Sequence, residues 1–366
     1  MLKLEMKKDV LRKHSDYILN ESRILEKLNL LLKDGATIPV DDKKTEYREL
    51  DRYEKRFIRY LMKHIARLTN EKKYEKSLFL MTPEDMKKEV ENIKRNHSKV
   101  YEKFMDGDDD FSRAILDALG YNKIFIRKNR IKKWGAYMYA SSMDLVTCPY
   151  CNINDARTCI NPKTKQSSRP ELDHFLPKSQ FPYFSMSIYN LVPSCHTCNS
   201  SYKGDKEFSY EDNINLFEKD MKNDLISFSY FAKNVEAFLG KDSPNLEIVV
   251  CDGDDPVNAN RLNNNNTIFN IICRYNQDDV LKKVSNMILN QREYDERSAT
   301  FRSLCWDRKK CVLGDDARLS DQEIIKSQYG KLKLDIFNEL SDMYARRHAS
   351  SEVIAKAKHV SGMSIS

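Results

Sequence analysis

The chain has 366 residues, 40% of them hydrophobic and 10% aromatic, with ten Gly and ten Pro; this composition excludes a disordered, collagen-like or low-complexity protein. No apolar run reaches the roughly 18 residues of a bilayer span, and the opening MLKLEMKKDVLRKH lacks a secretory apolar stretch, so a cytoplasmic protein without membrane contact is expected. Lys plus Arg number 62 against 55 Asp plus Glu, and the basic excess is local: residues 1–147 carry 33 basic and 25 acidic side chains, residues 148–210 carry 7 and 5, and residues 211–366 carry 22 and 25. A polyanion approaching the first part of the molecule would account for this asymmetry, as would ordinary solubilising charge.

Apolar spacing predicts one helix through Tyr17–Leu32 and another through Tyr47–Leu68, where Leu50, Tyr53, Phe57, Leu61, Ile65 and Leu68 recur every three or four positions. Thr82 reads as an N-cap, with Pro83 at the first helical position and Glu84 and Asp85 in the first turn. The acidic run Asp106–Asp110 lacks the Gly and Glu of a calcium loop and reads as a solvated connection. Phe111–Leu119 should be a helix stopped by Gly120, followed by a helix over Ile124–Tyr139.

Periodicity changes after Cys148. Apolar stretches shorten, and a short helix is expected only over Ser194–Lys203, closed by Gly204. Asp224–Tyr230 and Leu246–Cys251 read as strands, Asn263–Asn266 as a loop, and the chain beyond Asn276 as mainly helical, with Leu334–Ala345 its last segment. The expected class is α+β, mainly α-helical: a helical basic region at 1–147, a small unit at 148–210, and an α+β, mostly helical region at 211–366.

Nine Cys, without a secretion signal, argue for metal ligands before disulfides. Cys148-Pro-Tyr-Cys151 and Cys195-His-Thr-Cys198 each form a knuckle that converges two thiolates, and two knuckles make a tetrahedral sulfur site suited to one zinc per chain. Four thiolates leave no open coordination position, so this zinc should staple the fold rather than activate water. His196 should point outward, and Cys159, Cys251, Cys273, Cys305 and Cys311 lack ligand spacing.

Between and beside the knuckles lie Leu172-Asp173-His174-Phe175-Leu176-Pro177-Lys178, Asn190-Leu191, and Cys198-Asn199 followed by Lys203-Gly204. This arrangement, about 60 residues long, resembles the zinc-stapled HNH endonucleases, whose core is a ββα-metal unit. The resemblance implies such a unit embedded between helical regions, and some proteins of this general kind act in anti-phage defence. Elementary chemistry gives compatible roles. His174 can take a proton from water at neutral pH, while Asp173 and Asn199 offer oxygens to catalytic Mg²⁺ or Mn²⁺. Adjacent residues on a strand face opposite sides, so the strand should end at this pair. Asn199 stands where the HNH name has its last His. By resemblance, Asn190 orients the histidine and braces the loop.

Lys178 and Lys203 flank the proposed centre and could meet phosphates. Lys123, Arg127, Lys128, Arg130, Lys132 and Lys133 form a basic run interleaved with Ile124, Phe125, Ile126 and Trp134, either a backbone-tracking surface or a solvated face. The resulting expectation is a DNA-cutting, metal-dependent HNH nuclease. A non-catalytic zinc-dependent nucleic-acid-binding module and an RNA-cutting toxin on the same centre are the alternatives, RNA staying open as substrate. There is no phosphate-binding Gly-x-x-x-x-Gly-Lys loop, so any nucleotide-driven step would come from a separate ATPase or sensor protein.

Overall fold

Helices α1 (Lys8–Asn20) and α2 (Ile24–Asp34) replace the single helix expected over Tyr17–Leu32. The cause is local: Arg23 adopts a left-handed φ of 58°, and the Ser22 hydroxyl accepts from the Ile24 amide at 3.2 Å while donating to Ile18 O at 2.8 Å. A hairpin of β1 (Ala36–Pro39) and β2 (Thr45–Arg48) follows and takes Tyr47 out of the expected second helix. That helix, α3 (Arg52–Arg67), starts late because Asp51 and Glu54 form a reciprocal capping box. The computed structural model describes residues 1–39, 45–106, 110–127, 133–161, 163, 166–297 and 307–343.

Thr82 caps α4 (Pro83–Asn96) as expected, its hydroxyl accepting from the Asp85 amide at 3.4 Å. Next come α5 (Ser98–Met105) and α6 (Asp110–Leu119), the latter ended by Gly120 at φ 76°. Residues 107–109 of the expected acidic loop lie outside the described residues. The helix expected over Ile124–Tyr139 is not formed as one element. Tyr121–Phe125 make a π-helical turn, residues 128–132 lie outside the described residues, and α7 spans Ala136–Ser142. Phe125, inside the π-turn, packs edge-on against His14 with centroids 5.8 Å apart, and the Trp134 indole donates to His14 Nδ1 at 3.2 Å.

The chain divides into two units, Met1–Lys222 with Arg261–Phe269, and Asn223–Asn260 with Asn270–Ser366. In the first, Phe57 is the centre of an aromatic core, edge-on to Phe104 at 5.3 Å, Tyr183 at 5.8 Å and Phe111 at 6.3 Å. Tyr183 belongs to the loop between β3 (Glu171–His174) and β4 (Leu191–Ser194), so the helices grip that loop through aromatic contacts. The two strands pair antiparallel, His174 opposite Leu191 and Glu171 opposite Ser194. The short helix Thr197–Lys203 follows directly and stops at Gly204, φ 48°.

Two buried histidines hold the back of the same loop. His14 of α1 donates Nε2–H to Met186 O at 2.8 Å, and His64 of α3 accepts the Leu78 amide on Nδ1 at 3.1 Å. The segment next to Leu78 in turn accepts the Ile188 amide on Phe79 O at 3.0 Å.

Asn263–Asn266, expected as a loop, lie inside a helix, Pro256–Ile268. Their amides are used tertiarily rather than for a turn: Asn265 accepts from Asn213 and donates to Ile214 O, both at 2.8 Å, and Asn264 donates to Asp212 O at 2.9 Å. The second unit pairs β5 (Ile226–Ala232) with β6 (Leu246–Asp252), where strands were expected. Its longest described helix, Asp278–Glu296, and a helix over residues 330–343 account for the expected helical content. The latter helix is pinned to β5 by the Phe228 amide, which donates to Asp335 at 2.8 Å, and by the Ser229 hydroxyl, which donates to Glu339 at 2.9 Å. The fold is therefore mainly helical with a few short strands.

Burial is the largest cause that pulls His14 down to about 4 and His64 to about 3, from an ordinary 6.5. Both rings are neutral in the folded chain and regain their ordinary basicity on unfolding. The unfolded state thus binds more protons below about pH 6.5, so stability falls as pH drops through that value, by up to about 1.4 kcal/mol per pH unit per ring, levelling off only below the folded-state values. Urea midpoints between pH 7.5 and pH 5 should show this decline, and His14→Gln should flatten it by one ring's share. Equal slopes for parent and variant would contradict the assignment.

Candidate metal centre and adjoining cleft

The first knuckle is a turn anchored by backbone bonds. Cys148 N donates to Asn154 O at 2.8 Å, and Asn152 N donates to Cys148 O at 2.7 Å. Asn152 takes φ 54°, a left-handed conformation that asparagine tolerates, and its amide bonds Thr147 Oγ1 at 2.8 Å. The second knuckle joins the end of β4 to the helix Thr197–Lys203. Together they bring Cys148, Cys151, Cys195 and Cys198, all buried, to where their sulfurs lie within 4.8 Å of one another.

Several N–H groups face these sulfurs: Ile153 N to Cys151 at 3.4 Å, Cys195 N to Cys148 at 3.3 Å, Cys198 N to Cys195 at 3.4 Å, and Asn154 Nδ2 to Cys195 at 3.4 Å. Donors converging on sulfur favour thiolate, whereas burial first and then the three neighbouring cysteines push the Cys148 thiol well up. A cation resolves the conflict. Zinc with sulfur at about 2.3 Å places tetrahedral sulfurs about 3.8 Å apart, which this spacing accommodates. The four cysteines could thus hold a metal such as zinc.

Next to this cluster is a cleft of about 540 Å³ lined by Asp173, His174, Lys178, Asn199 and Lys203, among others. His174, 8% exposed, bonds Ser185 O through Nε2 at 3.0 Å. A carbonyl only accepts, so Nε2 carries the proton and Nδ1 keeps its lone pair. Burial, reinforced by Lys178, pulls His174 down to about 3 and keeps the ring neutral. Asn190, fully buried, accepts the Leu176 amide at 2.8 Å and donates to Leu176 O at 3.1 Å and Phe184 O at 3.2 Å. It braces both limbs of the loop that carries Ser185, and it acts on His174 only through that loop.

Asp173 is 4% exposed, and its oxygens accept from Lys203 Nζ at 2.7 and 2.8 Å and from the Tyr150 hydroxyl at 2.6 Å. Lys203, expected at a phosphate backbone, is instead 3% exposed and also donates to His174 O at 2.6 Å. The Lys203 Nζ stands over the Phe208 ring at 4.4 Å. The apolar stem of this lysine is spent in the fold and its charge on Asp173, so it is a counter-ion and not a surface cation.

Lys178 does line the cleft, half-buried over the Tyr121 ring and bonded to Asn122 at 3.2 Å. Asn199 donates Nδ2 to Glu171 at 2.7 Å, leaving its oxygen as the side chain's acceptor.

The basic run is only partly described. Lys123 pairs with Asp117 at 2.7 Å, Arg127 and Lys133 are exposed, and Lys128, Arg130 and Lys132 lie outside the described residues. His196 points outward, and Cys159, Cys251 and Cys273 are exposed free thiols. Sequence reasoning missed three residues around the site. Tyr150 reads as knuckle filler, although it sits between two ligands. Glu171 shares the strand face of Asp173 by simple alternation. His14, far away in sequence, carried no signal.

Comparison with family models, with curated proteins and with solved structures finds no match. No helix among the described residues is long and apolar enough to cross a membrane.

Elemental analysis of purified protein should find close to one zinc per chain, and Cys195→Ser should lose it and lower the melting temperature. A zinc-free parent, or a variant that melts unchanged, would contradict the site.

Proposed function

We propose that the chain is a zinc-stapled, Mg²⁺-dependent endonuclease of the HNH type that hydrolyses DNA phosphodiester bonds in this cleft, with a role in anti-phage defence as its context. The observation that carries the reading is the His174 tautomer: a neutral ring with Nε2–H tied to Ser185 O and Nδ1 left unprotonated, on the wall of a polar cleft. A further support is topological, since β3, β4 and the short π-helix Thr197–Lys203 run in strand–strand–helix order with His174 ending the first strand and Asn199 on the helix.

In this mechanism His174 Nδ1 takes the proton of the attacking water, and the Ser185 carbonyl stabilises the imidazolium that forms. Asn190 keeps that carbonyl in place. Lys178, beside the ring, adds positive charge where phosphate oxygens would enter.

The oxygens present fit a hard cation of low protein coordination. A carboxylate has about four acceptor sites, of which Lys203 and Tyr150 use three, so one remains on Asp173 Oδ1, and Asn199 lines the same cleft. Mg²⁺ commonly keeps several waters and takes one or two protein oxygens. When bound, the ion would supply charge neutralisation at the phosphoryl group and the leaving oxygen.

A second reading, the non-catalytic nucleic-acid-binding zinc module, draws on the Lys203–Asp173 pair, which satisfies that carboxylate without any ion. The two separate on one experiment. Zinc-loaded parent and His174→Ala are incubated with plasmid DNA, single-stranded DNA and structured RNA, with Mg²⁺ and with chelator. Mg²⁺-dependent cleavage by the parent, reduced about 10²- to 10⁴-fold in His174→Ala at equal nucleic-acid affinity, is expected. Cleavage of RNA alone would favour the RNA-cutting alternative. A parent that binds but never cuts, or a variant that cuts at the parental rate, overturns the proposal.

A further inference from the structure

Strand β3 is tied to both zinc knuckles along one face. Glu171 and Asp173 are two residues apart and so share that face. Asp173 receives the hydroxyl of Tyr150, the residue just before Cys151, at 2.6 Å. Glu171 receives His196 Nδ1 at 2.7 Å, Asn199 Nδ2 at 2.7 Å and Ser200 Oγ at 2.8 Å. His196 and Asn199 are the immediate neighbours of Cys195 and Cys198. Three of the side chains that hold this face are therefore chain neighbours of the sulfur ligands.

We propose that Tyr150 and Glu171 are positioning residues through which the four-cysteine site sets the places of the cleft's two hard oxygen donors, Asp173 and Asn199. The inference rests on the reading of the cleft as a divalent-metal centre. Tyr150 is suited to the role because its ring is fixed independently, stacked on Phe269 with centroids 4.5 Å apart and planes at 23°. Its hydroxyl thereby enters at a defined point and holds Asp173 Oδ2, and the acceptor site turned to other use is the second one on Oδ1, beside the Lys203 ammonium at 2.7 Å. Without it, Lys203 alone governs the carboxylate, and the free acceptor site loses its fixed direction. Glu171 acts in parallel on the second donor. It takes the Asn199 N–H, which settles which end of that amide is turned away from the strand.

The test is Mn²⁺ binding, measured by titration calorimetry on the full-length, zinc-loaded chain without nucleic acid. The parent should bind one Mn²⁺ beyond its zinc, and Asp173→Asn should abolish that event. Tyr150→Phe keeps the stacked ring and removes only the hydroxyl; its Mn²⁺ affinity should fall about 10- to 100-fold at unchanged zinc content, the usual cost of losing a group that orients a metal ligand. Glu171→Gln should fall similarly. If Tyr150→Phe loses zinc or folding, Glu171→Gln decides.

Parental Mn²⁺ affinity in a zinc-loaded Tyr150→Phe or Glu171→Gln overturns the inference while leaving the metal-centre reading intact. A parent that binds no Mn²⁺ removes both, and the two failures are thereby told apart.

Discussion

Four buried sulfurs within 4.8 Å of one another are the constraint on which the rest of the first unit depends. As thiols they would give a small and poorly packed polar cluster. As thiolates without a cation they would repel one another at low dielectric, which no set of weak N–H···S contacts offsets. With zinc the same cluster becomes a cross-link of about 10–16 kcal/mol apparent free energy, as large as the whole stability of a typical domain. Structure around the knuckles converges on it. Even the first residues of the chain do so, with Leu2 N donating to Pro149 O at 2.9 Å.

A second device recurs at the cleft, a buried neutral imidazole whose Nε2–H is committed to a main-chain carbonyl. His174 bonds Ser185 O, and His14 bonds the adjacent Met186 O. The two rings hold consecutive carbonyls of one loop from different elements, and Asn190 closes that loop from within. The difference between them lies in the second nitrogen. His14 Nδ1 accepts the Trp134 indole and is thereby spent, whereas His174 lines the cleft with Nδ1 unprotonated. Packing, rather than residue type, separates a structural histidine from a candidate base. The helical scaffold matters to function in this sense: α1, α3 and the Phe57 cluster fix the loop on which the tautomer of His174 depends.

Much of the centre was legible in the sequence because its residues are close in the chain and their chemistry is narrow. Cys-x-x-Cys pairs have few uses, and the strand ending at His174 and the Gly204 stop followed from local rules. The fate of Lys203 was not legible. A lysine beside Gly reads as surface charge, and only the tertiary fold shows Asp173 and two carbonyl groups around its ammonium. The basic run misled in the same way, since its apolar residues look like one helical face yet Ile124 and Phe125 belong to a π-turn and Trp134 is anchored on His14. The four asparagines 263–266 read as a loop because the amide contacts of Asn264 and Asn265 to residues 212–214 lie some fifty positions away in sequence.

The account is tested most directly by zinc K-edge X-ray absorption on the purified chain. Four sulfur neighbours at about 2.3 Å, with no nitrogen or oxygen in the inner shell, is the predicted result. A shell containing nitrogen or oxygen, or fewer than four sulfurs, would contradict the four-cysteine site and with it the frame that holds β3 and the cleft.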